Sequence, residues 1–138
     1  MARNWVAGTT ILTVEDDSLT SLFLRARLEL DGLRVLHANN GHEALAVLDS
    51  EQVDLVSTDL MMPGMDGYRL IREIRDLPNP VSQVPILVLS VNQNEEDMVR
   101  CLAAGADDYM TKPMSPQVFV EKLWRIWLRS REAQRRPE

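Results

Sequence analysis

The chain has 138 residues, the length of one ordinary α/β domain, with 45% hydrophobic and 26% charged side chains, a globular balance. No apolar run approaches the roughly 20 residues that would span a bilayer, and Met1 to Gly8 lacks the apolar core of a signal peptide, so a cytoplasmic protein without membrane association is expected. A net charge of -6 argues against direct, sequence-independent binding of nucleic acid, which needs a basic surface.

Residues 1–9 precede the first periodic segment and read as an N-terminal extension, whose Trp5 either covers a sheet edge or is disordered. Thr10–Val14 is the first strand. Ser18 is the expected cap of the first helix, in which Leu19, Leu22, Phe23, Ala26 and Leu30 recur at helical spacing as the core-facing stripe. Gly32 follows where a left-handed residue ends a helix. Arg34–Ala38 is the second strand, and the second helix spans Gly41–Ser50, with Asn40 and Glu43 spaced as a capping box.

The third strand is predicted over 53–58 and the third helix from about 66 to 77, capped by Asp66, burying Leu70, Ile71, Ile74 and Leu77, and stopped by Pro78. Gly64 and Gly67 ease the loop between them. The fourth strand is predicted over 86–89. In the next helix, capped by Asn94 and closed by Gly105, Met98, Val99 and Leu102 form the buried stripe. The single cysteine, Cys101, sits in that helix without a His or a second Cys nearby, and reads as a half-buried structural thiol. Residues 108–110 form the fifth strand, and Ser115-Pro116 opens the fifth helix. Leu123, Trp124, Ile126, Trp127 and Leu128 exceed what one buried stripe needs, which suggests a partner or dimer surface. Residues 10–129 form the domain, and 130–138 a polar tail, read as the frayed end of that helix or the start of a connector. Five strand–helix units this short imply right-handed crossovers and one parallel sheet covered on both faces.

In open α/β sheets ligands bind beyond the carboxyl ends of the strands. The first strand runs into Glu15-Asp16-Asp17, the third into Asp59, the fourth into Ser90 and the fifth into Thr111-Lys112-Pro113. Converging carboxylates repel unless a cation is shared, and hard oxygen ligands suit Mg²⁺. A carboxylate can also accept a phosphoryl group as a nucleophile, with a divalent ion, an amine and a hydroxyl stabilising the transferred charge. Asp17 reads as a helix cap rather than a third ligand. His37 and His42 lack partners at ligand spacing, and read as a strand residue and a helix-surface residue.

Asp59-Leu60-Met61-Met62-Pro63-Gly64-Met65-Asp66-Gly67 resembles the acceptor loop of response-regulator receiver domains, Val14-Glu15-Asp16-Asp17 their acid pair, and Gly105 to Pro113 their fifth-strand signature. The resemblance covers about 10–129. It implies a flavodoxin-like (βα)5 fold with strand order 2-1-3-4-5, and Asp59 as phosphoryl acceptor from a histidine kinase or histidine phosphotransfer protein. It further implies Mg²⁺ held by Asp59, by Asp16 directly, by Glu15 through water and by the Met61 carbonyl. Lys112 is then expected to pair with Asp59 and afterwards with the phosphoryl oxygens, ahead of a cis Lys112–Pro113 bond. Ser90 and Tyr109 are the implied switch residues, Ser90 moving to the phosphoryl group and Tyr109 turning inward. The fourth helix, fifth strand and fifth helix become the face read by a downstream target or output domain, or used for homodimerisation.

Val91 departs from the small residue the family usually places after Ser90, and its bulk is expected to narrow access to Asp59. Met61 and Asn92 occupy the two positions that tune phosphoryl lifetime in the family, and an apolar Met61 should give slow self-dephosphorylation. The chain is expected to do no catalysis beyond its own phosphorylation and dephosphorylation. A haloacid-dehalogenase-type phosphatase would need an Asp where Met61 stands, and neither G-x-x-x-x-G-K-[ST] nor G-x-G-x-x-G occurs. A phosphorylation-independent scaffold is the remaining alternative, against which the intact Glu15, Asp16, Asp59, Ser90 and Lys112 set argues. No effector domain follows the fifth helix, which leaves open a stand-alone regulator and a piece of a longer protein.

Overall fold

A computed structural model describes residues 3–135. The order is β1 (Thr10–Val14), α1 (Ser18–Leu30), β2 (Arg34–Ala38), α2 (Gly41–Ser50), β3 (Leu55–Asp59), α3 (Gly67–Arg75), a 3-10 turn (Val81–Gln83), β4 (Ile86–Ser90), α4 (Glu95–Ala104), β5 (Asp108–Thr111) and α5 (Pro116–Arg135). All strand pairs are parallel in one five-stranded sheet ordered β2-β1-β3-β4-β5, the expected flavodoxin-like arrangement. Successive strand side chains point to opposite faces. Leu12, Val56 and Val88 therefore meet α2, α3 and α4 on one side, while Ile11, Leu55 and Leu87 meet α1 and α5 on the other.

Four strand boundaries differ from expectation, three of them in a way that matters for chemistry. β3 begins at Leu55 because Asp54 is used in a turn, its carboxylate accepting the Thr10 N–H at 2.8 Å. β3, β4 and β5 each run one residue further than predicted, through Asp59, Ser90 and Thr111. Asp59 pairs in register with Leu89, and Ser90 with Thr111, so the backbones of Asp59 and Ser90 are fixed by the ladder rather than by loops.

Two helix faces overturn the expected stripes. Asp17, not Ser18, caps α1, accepting the Thr20 N–H at 2.9 Å. The face α1 buries is Leu24 and Leu28, whereas Leu19, Leu22, Phe23, Ala26 and Leu30 are exposed. α1 carries apolar side chains on two opposite faces, with the wider stripe on the exposed side, and packing against β2 and α5 decides which face is buried. In α4 the core residue is Cys101, Met98 is half-buried, and Val99 and Leu102 face solvent. α3 ends at Arg75, capped by Asp66 as expected, with Leu77 only half-buried beyond it. The Asn40 side chain accepts the Glu43 N–H, but the Glu43 carboxylate accepts in return from the Asn39 N–H, one residue before the expected donor.

Cys101 is fully buried rather than half-buried, and burial pushes its thiol up to about 11. Ellman's reagent is therefore expected to find no reactive thiol in the native chain and one equivalent after denaturation. Rapid labelling under native conditions would show that α4 opens locally.

The apolar surplus of α5 is met from within the chain. Trp5 packs on Trp124 and Trp127 with ring centroids 5.0 and 5.1 Å away, and those two rings stack at 5.3 Å. The Trp5 indole N–H donates to Asp31 at 2.7 Å, and Arg3 grips the same carboxylate with two bonds of 3.0 Å while reaching Glu121 at 3.3 Å. The start of the chain thus clasps the end of α1 to α5, and Trp124 and Trp127 do not form the free partner surface expected. α5 also continues through Arg135, so the described part of the expected polar tail is helical, and 136–138 lie outside the described residues, as do 1 and 2.

The clasp makes a prediction. The Arg3 hydrogen bonds hold the Asp31 carboxyl below its ordinary 3.8, with Trp5 assisting. A depressed carboxyl contributes stability at neutral pH that is lost as pH falls below about 4. Asp31→Asn is expected to cost about 1–2 kcal/mol in a urea titration at neutral pH, and to lose most of that difference in acid. All three tryptophans of the chain belong to this cluster, so intrinsic fluorescence reads the clasp directly.

Candidate functional site

The sheet delivers the polar residues to one edge. Glu15 and Asp16 follow β1, Asp59 ends β3, Ser90 ends β4, and Lys112 follows β5. The Lys112 ammonium donates to Glu15 Oε1 at 2.9 Å and to Asp59 Oδ2 at 3.4 Å, so its shorter bond is to the first-strand acid rather than to Asp59. The three side chains are largely buried, at 17% exposure for Lys112, 4% for Glu15 and 15% for Asp59, while Asp16 is exposed. The Lys112–Pro113 peptide is cis, and a second cis bond, Asn79–Pro80, lies at the opposite end of the sheet. Asp17 turns away from the group to cap α1.

One ammonium faces three carboxylates. Burial, together with the nearby Asp59, pushes the Glu15 carboxyl up from 4.5 to about 7 against the pull of Lys112. Burial works against the Lys112 charge, but Glu15 and Asp59 outweigh it and hold its pKa above the ordinary 10.5. Glu15, Asp16 and Asp59 each bring one carboxylate oxygen to within 4.8 Å of the others, and Glu15 Oε2 is buried with no hydrogen-bond partner. A hard divalent cation fits this donor set. It would balance the surplus negative charge and give the orphaned oxygen a partner, directly or through water. Met61 and Val91 flank the group with exposed side chains.

A hydrogen-bond chain leads out of the site. Ser90 is fully buried, and its Oγ accepts the Asn92 N–H at 3.0 Å. Tyr109 already lies inward, buried, its hydroxyl donating to the Asn92 carbonyl at 2.6 Å. The Asn92 carboxamide accepts the Asn94 N–H at 2.9 Å and donates to Asp97 on α4. Asp97 in turn accepts the Tyr68 hydroxyl from α3 at 2.7 Å, and Arg100 covers the Tyr68 ring at 3.8 Å. Sequence reading missed Tyr68 and Asp97. The only available signal was a tyrosine placed one residue after a helix start, which does not identify its partner.

Gly67 has a sharper role than easing a loop. It is the first residue of α3, and a Cβ there would lie 2.9 Å from the Asp59 carbonyl oxygen and 2.9 Å from the Leu60 Cα. Its N–H also donates to the Leu60 carbonyl at 2.8 Å. α3 thereby abuts the end of β3 backbone to backbone, which only a residue without a side chain permits. His37 is held by Ser21 and Asn39, each at 3.0 Å, and His42 is exposed, so neither approaches the site.

The family model described as "Response regulator receiver domain" matches residues 11–124. The chain is 38% identical over 130 residues to the KDP operon transcriptional regulatory protein KdpE of Escherichia coli, covering 94% of this chain and 56% of that protein. It is 36% identical to the phosphate regulon transcriptional regulatory protein PhoB of Pseudomonas aeruginosa, covering 86% and 51%. The chain thus spans about half the length of these curated relatives. Among solved structures, a CheY-like response regulator receiver domain protein from Methanospirillum hungatei superposes with TM-score 0.84 at 28% identity, over 91% of this chain and 98% of that one. The receiver domain of a sensor histidine kinase from Pseudomonas aeruginosa superposes with TM-score 0.80 at 34% identity, over 88% and 98%; it carries a magnesium ion coordinated in its active site cleft.

Proposed function

The chain belongs to the response regulator receiver family, and from that premise we propose that Asp59 accepts a phosphoryl group from a histidine kinase or histidine phosphotransfer protein and that the α4–β5–α5 face reports the event. The observation that carries this reading is the convergence of Asp59, Lys112, Glu15 and Asp16 at the carboxyl ends of three strands, with one carboxylate oxygen left unpartnered. Glu15, Asp16, Asp59 and the Met61 carbonyl would hold Mg²⁺, Glu15 through water. When bound, such an ion supplies charge neutralisation for the phosphoryl oxygens.

The residues of the chain divide the remaining work. A carboxylate oxygen of Asp59 forms the new bond to phosphorus as the donor's P–N bond breaks, the electron pair leaving with the imidazole. Lys112, already donating to Asp59, donates to the phosphoryl oxygens once the acyl phosphate has formed. Ser90 offers its hydroxyl hydrogen from the end of the neighbouring strand, its oxygen being engaged by Asn92. Tyr109 is bound to the same loop, so a shift of Ser90 is passed to α4. Val99 and Leu102 on α4 and Val118 on α5 supply exposed apolar area for a downstream target, an output domain or a second copy. The catalysis is confined to the chain's own phosphorylation and dephosphorylation.

Intact mass after incubation with acetyl phosphate or phosphoramidate, with and without Mg²⁺, tests this reading. One phosphoryl adduct that requires Mg²⁺ is expected. No adduct from either donor, or from a competent kinase, would leave a phosphorylation-independent scaffold and make Val91 the first residue to shrink.

A further inference from the structure

Asn92 is bonded through four of its polar groups. Its N–H is on Ser90 Oγ and its carbonyl on the Tyr109 hydroxyl. Its side-chain oxygen is on the Asn94 N–H, and its side-chain nitrogen on Asp97. The first two bonds set where the residue sits, two positions beyond Ser90 and tied to it. The last two set where its carboxamide points, toward the first turn of α4. Asp97 is itself aimed, because the Tyr68 hydroxyl of α3 holds its other oxygen at 2.7 Å. Asp97 is half-buried and Tyr68 buried, so the bonds from Tyr68 through Asp97 to Asn92 are partly shielded from competing water, while the Asn94 bond is exposed.

We infer that Asp97 is a positioning residue for loss of the phosphoryl group: with Tyr68 behind it, it keeps the Asn92 carboxamide on α4 and away from water attacking the acyl phosphate. This rests on Asp59 being the acceptor. In hydrolysis a water oxygen bonds to phosphorus, the bond from phosphorus to the Asp59 oxygen breaks, and its electron pair restores the carboxylate. The phosphoryl group leaves as dihydrogen phosphate carrying both water protons, which keeps the charge balanced. A primary amide beside that path can accept a hydrogen bond from the water and orient it. Bound to Asp97 and Asn94, this one is occupied. With Met61 offering no polar group on the other flank, the restraint on Asn92 sets a long lifetime.

The test follows decay of the phosphorylated full chain after donor removal, by intact mass. Asp97→Ala is expected to shorten the lifetime on the order of tenfold, the lower end of the scale of one hydrogen bond to a charged group. Tyr68→Phe should shorten it less. Asp97→Asn, which keeps an acceptor oxygen, should stay within about twofold of the parent. In an Asn92→Ala background, Asp97→Ala should change nothing, which separates positioning from a general loosening of the loop. Unchanged decay in Asp97→Ala, or acceleration that survives in the Asn92→Ala background, overturns the inference. A readout free of phosphorylation is the Asn92 side-chain amide in the unphosphorylated chain. Its hydrogens should exchange slowly, and quickly in Asp97→Ala; fast exchange in the parent also overturns the inference. If the parent takes up no phosphoryl group while the amide is protected, the Asp59 reading has failed rather than the restraint on Asn92.

Discussion

Asp59→Asn is expected to take up no phosphoryl group under conditions where the parent chain takes up one, and intact mass reads the difference. The expected loss exceeds about a thousandfold in rate, or about 4 kcal/mol of barrier, because an amide offers no anionic oxygen to attack phosphorus. The variant is nearly isosteric, and Lys112 keeps its shorter bond, 2.9 Å to Glu15, so the site stays paired. Asp59 also raises the Glu15 carboxyl, so removing its charge relieves repulsion. The urea midpoint of the variant at neutral pH, without divalent ion, should therefore match or exceed that of the parent. A stable variant without an adduct identifies the acceptor. An adduct retained by the variant would move the acceptor to another carboxylate, Asp16 first, and overturn the assignment.

Gly67→Ala should damage stability and phosphorylation together. Alanine normally favours a helix by about 1 kcal/mol over glycine, and Gly67 has no positive φ to forbid it. Here that gain is outweighed. The added methyl would stand 2.9 Å from a backbone oxygen and a backbone Cα, neither of which can rotate away. Overpacking of this kind costs about 1–3 kcal/mol, and rigid backbone neighbours place it at the upper end. A net loss of about 1–2 kcal/mol is expected, several degrees in thermal midpoint. The atoms displaced belong to Asp59 and Leu60, so the rate of adduct formation should fall at least about tenfold, because small misplacement of a reacting group is costly. A variant as stable and as reactive as the parent would show that α3 can shift away from β3 without cost, contrary to the close contact between their backbones.

Much of this protein was legible in the sequence because the information is local. The strand–helix alternation follows from apolar period, and turn residues such as Gly32 and Gly105 mark helix ends through a backbone conformation that other residues resist. The residues at the strand ends could be collected without coordinates, because a parallel sheet brings the carboxyl ends of its strands to one edge. The order of Glu15, Asp16, Asp59, Ser90 and Lys112 along the chain then sufficed to suggest the chemistry.

What depended on distant residues could not be read this way. α1 carries apolar side chains on two opposite faces, so period could not choose between the stripe from Leu19 to Leu30 and the pair Leu24 and Leu28. Packing against β2 and α5 chose the second. The tryptophans of α5 read as a partner surface because nothing in their own segment covers them, and their cover, Trp5, lies at the other end of the chain. The same holds for Tyr68 and Asp97, joined only because α3 and α4 are neighbours. Sequence by itself determined the elements, their order and which polar groups meet at the strand ends, since period, caps and strand ends are short-range properties. Only the tertiary structure decided which faces are buried, that Lys112 lies nearer Glu15 than Asp59, and that the Asn92 side chain is tied to α4, because those are set by which surfaces meet in space.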